Sequence, residues 1–140
     1  MFEPRRLIRT AAAEIGFRHS CCLELAIVVS ELCSNILKYG IEGSIEFDKL
    51  VDHHNGVGVE VLASDVGPPF QNLELALQDG HDDRGPIDPG SMLKRGGLGT
   101  GLGAVVRLTD AFAVQYGVGS KTICVKRYVA RPRATAAMRK

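Results

Sequence analysis

Apolar residues recur at helical spacing in two segments near the start of the chain. Residues 4–15 carry one apolar face, and residues 20–38 carry a longer one. In the longer segment the apolar positions follow the i, i+3, i+4, i+7, i+11 pattern of a buried helical face: Leu25, Val28, Val29, Leu32 and Ile36. The pattern predicts two helices, and the glycine at position 40 is a natural end for the second.

Alternating and valine-rich segments further along predict strands. Residues 44–52 alternate between apolar and polar side chains, and residues 56–65 follow them after the hairpin signal HHNG. A third helix is predicted to begin in GLGAVVRLTDAF, and two more strands are predicted in FAVQYGVG and KTICVKRYV. This order predicts an α+β fold, a two-layer α/β sandwich with helices on one face of a mixed, mostly antiparallel sheet.

Length and charge divide the chain into a body and a tail. The 140 residues, 45% of them hydrophobic, suit one domain, which we place at residues 1–129. The polar, Gly- and Pro-rich stretch at 79–97 is long for a connection and is predicted to be a lid. Six of the 17 basic residues lie in positions 126–140, so residues 130–140 are predicted to be a basic, disordered tail.

Composition also excludes several kinds of partner. Outside positions 126–140 the chain has 11 basic and 16 acidic residues, which argues against nucleic-acid binding. The sequence shows no secretory signal, and no apolar run approaches the about 20 residues of a membrane span. The four cysteines have neither CxxC nor metal-ligand spacing, which favours reduced thiols and a cytoplasmic location.

Three polar residues share one face of the second predicted helix. Glu31, Asn35 and Lys38 are spaced i, i+4, i+7, so their side chains point the same way. A carboxylate, an amide oxygen and an ammonium group suit Mg²⁺ and phosphate. The same spacing also describes an ordinary solvated polar face, and the spacing alone does not separate the two interpretations.

Two glycine-containing segments offer further candidate chemistry. Asp65 and Gly67 follow a predicted strand, where a carboxylate could accept a hydrogen bond from a ligand amine, although Asp-x-Gly-Pro is also a common turn. The segment GLGTGLG at 97–103 precedes the third helix, where free backbone N–H groups could bind an anion. A flexible glycine loop is the alternative, and the segment lacks the GK[ST] of a P-loop. Thr122, in the turn GVGSKT, would approach Asp65 if the strands pair.

The order of these motifs is more specific than any one of them. E-x-x-x-N-x-x-K, D-x-G-x-P, G-x-G-T-G-L-G and G-x-K-T resemble the N, G1, G2 and G3 boxes of the GHKL (Bergerat-fold) ATPase superfamily. From Pro4 to Tyr128 the chain resembles the anti-sigma-factor serine/threonine kinases of the RsbW and RsbT type, particularly the RsbT branch. Two departures stand out. Pro69 occupies the second glycine position of the G1 box, and the family's usual first strand is missing, which predicts an exposed sheet edge suited to homodimerisation.

The resemblance implies ATP and Mg²⁺ as cofactors and assigns a role to each motif. Glu31 would be the general base, Asn35 would chelate Mg²⁺ and Lys38 would lie near the phosphates. Asp65 would accept a hydrogen bond from the adenine amino group, and Gly67 would let the ring approach. Thr122 would support the adenine end of the nucleotide. The remaining ATP-binding residues would surround the triphosphate: Arg95 (at the γ-phosphate), Gly97, Gly99, Thr100, Gly101, Leu102 and Gly103.

The implied function is an ATP- and Mg²⁺-dependent protein serine/threonine kinase in a stress-response pathway. Its substrate would be a STAS-domain antagonist of an anti-sigma factor or a stressosome protein, with a sigma factor or a phosphatase as further partners. One alternative is an ATP-binding but non-catalytic partner-switching regulator. Another is the catalytic domain of a histidine kinase, which would need a phospho-accepting helical hairpin for which the sequence before Glu14 offers no room.

Overall fold

Helices and strands occupy most of the chain that is described by the computed structural model. It describes residues 3–39, 42–67, 73, 77, 81–82, 85–86 and 101–130. The helices are α1 (Glu3–Ile15), α2 (His19–Tyr39) and α3 (Leu102–Arg107). The strands are β1 (Glu42–Asp52), β2 (Gly56–Val66), β3 (His81–Asp82), β4 (Gly85–Pro86), β5 (Ala111–Gly117) and β6 (Ser120–Tyr128). The three predicted helices and four predicted long strands are all confirmed.

The four long strands form one sheet in the order β1-β2-β6-β5, and every pairing between them is antiparallel. The β1–β2 hairpin is held by Asp52, whose Oδ1 accepts hydrogen bonds from the backbone N–H groups of His54 (2.7 Å) and Asn55 (3.3 Å). Gly56 follows with φ of 84°, and Gly119 turns the β5–β6 hairpin with φ of 70°. Both hairpins therefore contain a glycine in a backbone conformation that other residues rarely adopt.

The core lies between the helices and one face of this sheet. α1 and α2 pack on each other and on β1 and β2, and α3 packs on α2. The fully buried side chains alternate along the central strands, because only one face of the sheet is covered. The strands contribute Val59, Val61, Ile123 and Val125 to the core, and the helices contribute Ile8, Leu25, Val28, Val29 and Leu32. The α+β sandwich with helices on one face is confirmed.

Arg127 joins the sheet to both neighbouring helices. Its Nη1 atom lies 2.7 Å from Oε1 of Glu24 on α2 and donates to the carbonyl oxygen of Leu108, just after α3, at 3.1 Å. The Arg127 side chain is only 2% exposed, whereas that of Glu24 is 40% exposed. The pair therefore anchors one end of α2 while its acidic member stays in contact with water.

By length and composition, the segment His19–Lys38 of α2 meets the criteria for a helix that could cross a membrane, although two glutamates interrupt its apolar residues. Half of that segment is buried inside the protein, as in the central helix of a soluble fold, which meets the same criteria.

Several predictions fall on parts of the chain outside the described residues. The predicted lid at 79–97 is described only at β3 and β4, which pair with each other. Pro69 and residues 131–140 of the predicted tail lie outside the described residues.

Candidate functional site

The polar face of α2 is buried. Glu31 is 1% exposed and Asn35 is 4% exposed, and the neighbouring Ser30 and Ser34 are buried as well. A solvated polar face, the alternative left open by the spacing, therefore does not describe Glu31 and Asn35. Polar groups at the centre of a fold need partners, because an unsatisfied buried donor or acceptor costs about 1–3 kcal/mol.

Two atoms on this face have no such partner among the described residues. Oε1 of Glu31 and Nδ2 of Asn35 are buried and form no hydrogen bond there, although Glu31 makes another polar contact. Nδ2 of Asn35 is a hydrogen-bond donor, so the metal-binding group of this side chain would be its other polar atom, Oδ1. The side chain of Asn35 offers the hard oxygen that Mg²⁺ prefers.

The remaining ligands of such an ion would come from elsewhere. No group of three or more His, Cys, Asp or Glu within the described part of the chain could hold a metal ion. Mg²⁺ is commonly bound through one or two protein oxygens together with substrate phosphates and water. Asn35 therefore fits a nucleotide-bound Mg²⁺ better than an ion held by the protein alone.

Lys38 lies one turn beyond Asn35, in the last turn of α2. Its side chain is half-buried and makes a polar contact. A cation in this position is also stabilised by the negative end of the helix dipole. The position is thus compatible both with binding phosphate and with a structural role at the helix end.

Asp65 lies near the end of β2 and is 4% exposed. It pairs in register with Lys121 of β6, and the Nζ atom of Lys121 donates a hydrogen bond to its Oδ1 atom at 2.9 Å. The two side chains are only 2% and 1% exposed, respectively. Gly67, two residues after Asp65, is also buried.

Thr122 faces the opposite side of the sheet from Asp65. Its Oγ1 atom lies 3.0 Å from the Oγ of Ser64, in register across β2 and β6. Side chains alternate between the two faces of a strand, so Lys121 points to the helix-covered face together with Asp65. The expectation that Thr122 approaches Asp65 is therefore wrong: Lys121, the residue before Thr122, contacts Asp65 instead.

The glycine-rich segment is described from Gly101 onwards. Gly101 precedes α3 with φ of 70° and ψ of −153°, a combination that is essentially restricted to glycine. Gly103, which we expected to precede the helix, lies in its first turn because α3 begins at Leu102. Arg95 lies outside the described residues, as do Gly97, Gly99 and Thr100.

The start of α3 is held against the rest of the site. Residues from Leu102 to Val105 are buried, and α3 packs on α2, the helix that carries Glu31 and Asn35. The first N–H groups of a helix have no partner within it and can bind an anion. Gly101 and the first turn of α3 thus belong to the same side of the fold as the polar face of α2.

The four cysteines are free. Burial raises the pKa of the Cys33 thiol to about 11. Burial and the bond that Cys124 donates to Glu60 raise the pKa of the Cys124 thiol, and burial also raises that of Cys22. These three residues are therefore neutral thiols near pH 7 and are poor nucleophiles.

The sequence matches the histidine kinase-like ATPase domain family over residues 3–127. The chain belongs to this family. It is also 30% identical over 118 residues to the serine/threonine-protein kinase RsbT of Bacillus subtilis (strain 168), a match that covers 84% of this chain and 80% of the relative. The resemblance to GHKL ATPases and to kinases of the RsbT type is confirmed.

Sequence analysis of this histidine kinase-like ATPase domain did not select Lys121 as a candidate site residue. Lys121 is nevertheless part of the motif G-x-K-T, directly before Thr122. Which of two adjacent residues faces Asp65 depends on the pairing register, and a slip of one residue exchanges the two faces. The sequence motif alone carries no information on that register.

Proposed function

We propose that this protein is an ATP- and Mg²⁺-dependent serine/threonine kinase that acts on a STAS-domain antagonist or a stressosome protein. The observation that carries the proposal is the burial of Glu31 and Asn35 on one face of α2, at the centre of a largely apolar core. The family match and the similarity to a serine/threonine-protein kinase support it. A sigma factor or a phosphatase would be a further partner in the same partner-switching pathway.

ATP would bind across the helix-covered face of the sheet. Asp65 would accept the hydrogen bond of the adenine 6-amino group, and Gly67 would let the ring approach closely. Backbone N–H groups at Gly101 and the first turn of α3 would contact the phosphates. The other residues assigned to the triphosphate are Arg95, Gly97, Gly99 and Thr100, with Lys38 nearby. The hydroxyl group of Thr122 contacts Ser64. Thr122 would therefore support the adenine end indirectly, by holding β6 against β2, and would not contact the base.

Glu31 would act as the general base. Its carboxylate would accept the proton of the serine or threonine hydroxyl as that oxygen forms a bond to the γ-phosphorus, while the bond from the γ-phosphorus to the bridging oxygen of ADP breaks. Asn35 would hold Mg²⁺, which supplies positive charge to the phosphate oxygens when it is bound. The backbone N–H groups of the glycine segment would stabilise the same charge.

The proposal includes the organisation of the chain. Residues 1–129 would form the kinase domain with a lid at about 79–97, and residues 130–140 would form the basic tail. We place the protein in the cytoplasm, where ATP and its partners would be available. The exposed edge of the sheet would allow a homodimer.

Calorimetry and a phosphotransfer assay test the function in two steps. The purified chain is first titrated with a non-hydrolysable ATP analogue, with and without Mg²⁺, and we expect affinity to rise with Mg²⁺. It is then incubated with γ-labelled ATP and each STAS-domain protein encoded in the same genome, and we expect label on serine or threonine of one of them.

Each outcome has a definite meaning. Binding of the analogue without transfer to any STAS-domain protein would contradict the kinase proposal and favour the non-catalytic partner-switching regulator. Label on histidine would favour the histidine-kinase alternative. A folded sample that does not bind the analogue at millimolar concentration would overturn the nucleotide site itself.

A further inference from the structure

The ion pair between Lys121 and Asp65 is deeply buried. Nζ and Oδ1 lie 2.9 Å apart, and the two side chains are 1% and 2% exposed. In the pair between Arg127 and Glu24, by contrast, the acidic side chain is 40% exposed. Asp65 and Lys121 are thus both removed from water, at the position where the proposed function places the nucleobase.

Stability alone does not account for such a pair. Removing two charges from water costs several kcal/mol per ion, and replacing a buried ion pair by apolar residues is often neutral or stabilising. The surrounding sheet residues, such as Val61 and Ile123, show that apolar side chains fit this layer of the core. A charged pair in the same layer therefore points to a role in binding.

We propose that Lys121 is a specificity-determining positioning residue, which fixes Asp65 so that the site accepts a 6-amino purine and rejects a 6-oxo purine. The inference rests on the proposed function, in which Asp65 binds the adenine amino group. Lys121 acts through Asp65 and need not contact the base.

The chemistry of the carboxyl group explains the selectivity. An ionised carboxylate only accepts hydrogen bonds, whereas a protonated one also donates. An amino group at purine position 6 is a donor and suits the ionised form, while an oxo group is an acceptor and suits the protonated form. Nζ of Lys121 donates a hydrogen bond to Oδ1 of Asp65 at 2.9 Å, so the carboxyl group is held as a hydrogen-bond acceptor at a fixed place on β2. An acceptor held in this way suits the amino group and not the oxo group.

The geometry of the Asp65–Lys121 contact also contributes to the selectivity for the 6-amino group. Lys121 engages Oδ1, and a carboxylate has a second oxygen with its own lone pairs, so Oδ2 keeps its capacity to accept from the base. Lys121 is itself held in place, because it makes a further polar contact and because β6 is paired on both sides, with Asp65 opposite it on β2 and Tyr116 opposite it on β5. The acceptor is thus oriented before the nucleotide arrives.

The experiment compares the affinities of ATP and inosine triphosphate (ITP), in which an oxo group replaces the 6-amino group. Both are titrated by calorimetry into the full chain carrying Lys121→Met, Lys121→Arg or Lys126→Met, and into the unaltered chain. Lys121→Met removes the ammonium group, and Lys121→Arg keeps the charge. Lys126→Met is the matched control because it removes an ammonium group from the same strand, β6, on the opposite face of the sheet.

We expect the unaltered chain to prefer ATP by about 100-fold or more, since a site built around a hydrogen bond strongly rejects the wrong partner. Lys121→Met should reduce this preference to below about tenfold, because the acceptor is no longer fixed towards the 6-amino group. Lys121→Arg and Lys126→Met should keep the preference. A folded Lys121→Met protein with the original preference would overturn the inference.

A second variant covers the case in which Lys121→Met does not fold. The double change Asp65→Asn with Lys121→Gln removes both charges together. The amide group introduced at position 65 can donate as well as accept hydrogen bonds. It should bind ATP and ITP with similar affinity, and an unchanged preference for ATP would contradict the proposal.

The unaltered chain separates this inference from the proposed function. If it binds neither nucleotide, the nucleotide site itself fails and the inference fails with it. If it binds ATP and ITP equally well, nucleotide binding stands and the selective role of the Asp65–Lys121 pair is wrong.

Discussion

Glu31 and Asn35 lie one helical turn apart on α2, and each has a buried polar atom that forms no hydrogen bond among the described residues. A helix in the middle of a core gains stability from apolar residues at such positions, as Val28 and Leu32 show on its neighbouring face. Glu31 and Asn35 therefore occupy core positions at which apolar residues would be more stabilising. The proposed nucleotide site accounts for polar side chains at these positions.

Replacing Glu31 by glutamine should separate catalysis from binding. The variant keeps the size of the side chain but cannot accept the hydroxyl proton, so phosphotransfer should fall by about 10²–10⁴-fold. The affinity for the non-hydrolysable ATP analogue should change little, because binding does not use the base. The two quantities are measured by transfer of labelled phosphate to the STAS-domain partner and by calorimetry. Unchanged transfer in this variant would refute the assignment of Glu31 as the base.

Replacing Asn35 by alanine should weaken Mg²⁺-dependent nucleotide binding and should have only a small effect on stability. Without the amide oxygen, the gain in nucleotide affinity that Mg²⁺ provides should be lost. Because Nδ2 has no partner in the described structure, the free energy of unfolding without nucleotide should fall by no more than about 1 kcal/mol. Titration with and without Mg²⁺ and denaturant unfolding measure the two effects.

Ser34 provides the matched control for Asn35. It is the preceding residue on α2 and is also buried, but the proposed site does not use it. Ser34→Ala should leave the response to Mg²⁺ unchanged. A Mg²⁺ response that survives Asn35→Ala would be inconsistent with Asn35 as the metal ligand.

Substitution of Gly101 by alanine should affect both the fold and the phosphate site. Its φ of 70° and ψ of −153° are essentially restricted to glycine, so the variant should lose about 1–3 kcal/mol of unfolding free energy. The first turn of α3 would shift, and affinity for the ATP analogue should fall.

Gly119→Ala is the control for backbone strain. Gly119 also has a φ of 70°, but it lies in the β5–β6 turn, where an added Cβ would meet no atom within 4 Å. It should lower stability without weakening nucleotide binding. Equal loss of nucleotide affinity in both variants would indicate that general destabilisation, and not the phosphate site, explains the effect of Gly101→Ala.

Much of the fold was predictable from local pattern. The periodicity of residues 20–38 and the HHNG signal were enough to predict α2 and the β1–β2 hairpin to within one or two residues. These features depend on side chains that are close in sequence, so a single sequence carries the information.

The parts that sequence did not predict depend on long-range pairing. The order of motifs singled out Glu31, Asn35 and Asp65 as candidate site residues, but neither the burial of Asn35 nor the contact of Asp65 with Lys121 can be obtained from spacing. Asp65 and Lys121 are 56 positions apart, and only the register of β2 with β6 brings Lys121 rather than Thr122 to the helix-covered face. The third helix begins within the predicted segment GLGAVVRLTDAF, at Leu102, but glycines on both sides of that residue gave no sharp boundary.

The turn between β1 and β2 should make stability depend on pH in the acid range. Hydrogen bonds from the backbone of His54 and from the side chain and backbone of Asn55 lower the pKa of Asp52 from 3.8 to about 2. A carboxyl group with a lowered pKa in the folded state stabilises the fold when it is ionised. This stabilisation is complete above about pH 4 and is lost as the pH falls towards 2.

Asp52→Asn should therefore be less stable than the unaltered chain at pH 6 and should lose less stability between pH 4 and pH 2. The free energy of unfolding of both proteins is measured by denaturant titration across this range. Asp48→Asn, an exposed position on the same strand, is the control and should follow the unaltered chain. Tyr128 of β6 also donates to Oδ2 of Asp52, at 3.1 Å, so the lost stability should extend beyond the turn to the pairing of β2 with β6. A constant difference between Asp52→Asn and the unaltered chain from pH 6 to pH 2 would show that the ionised carboxylate does not stabilise the turn.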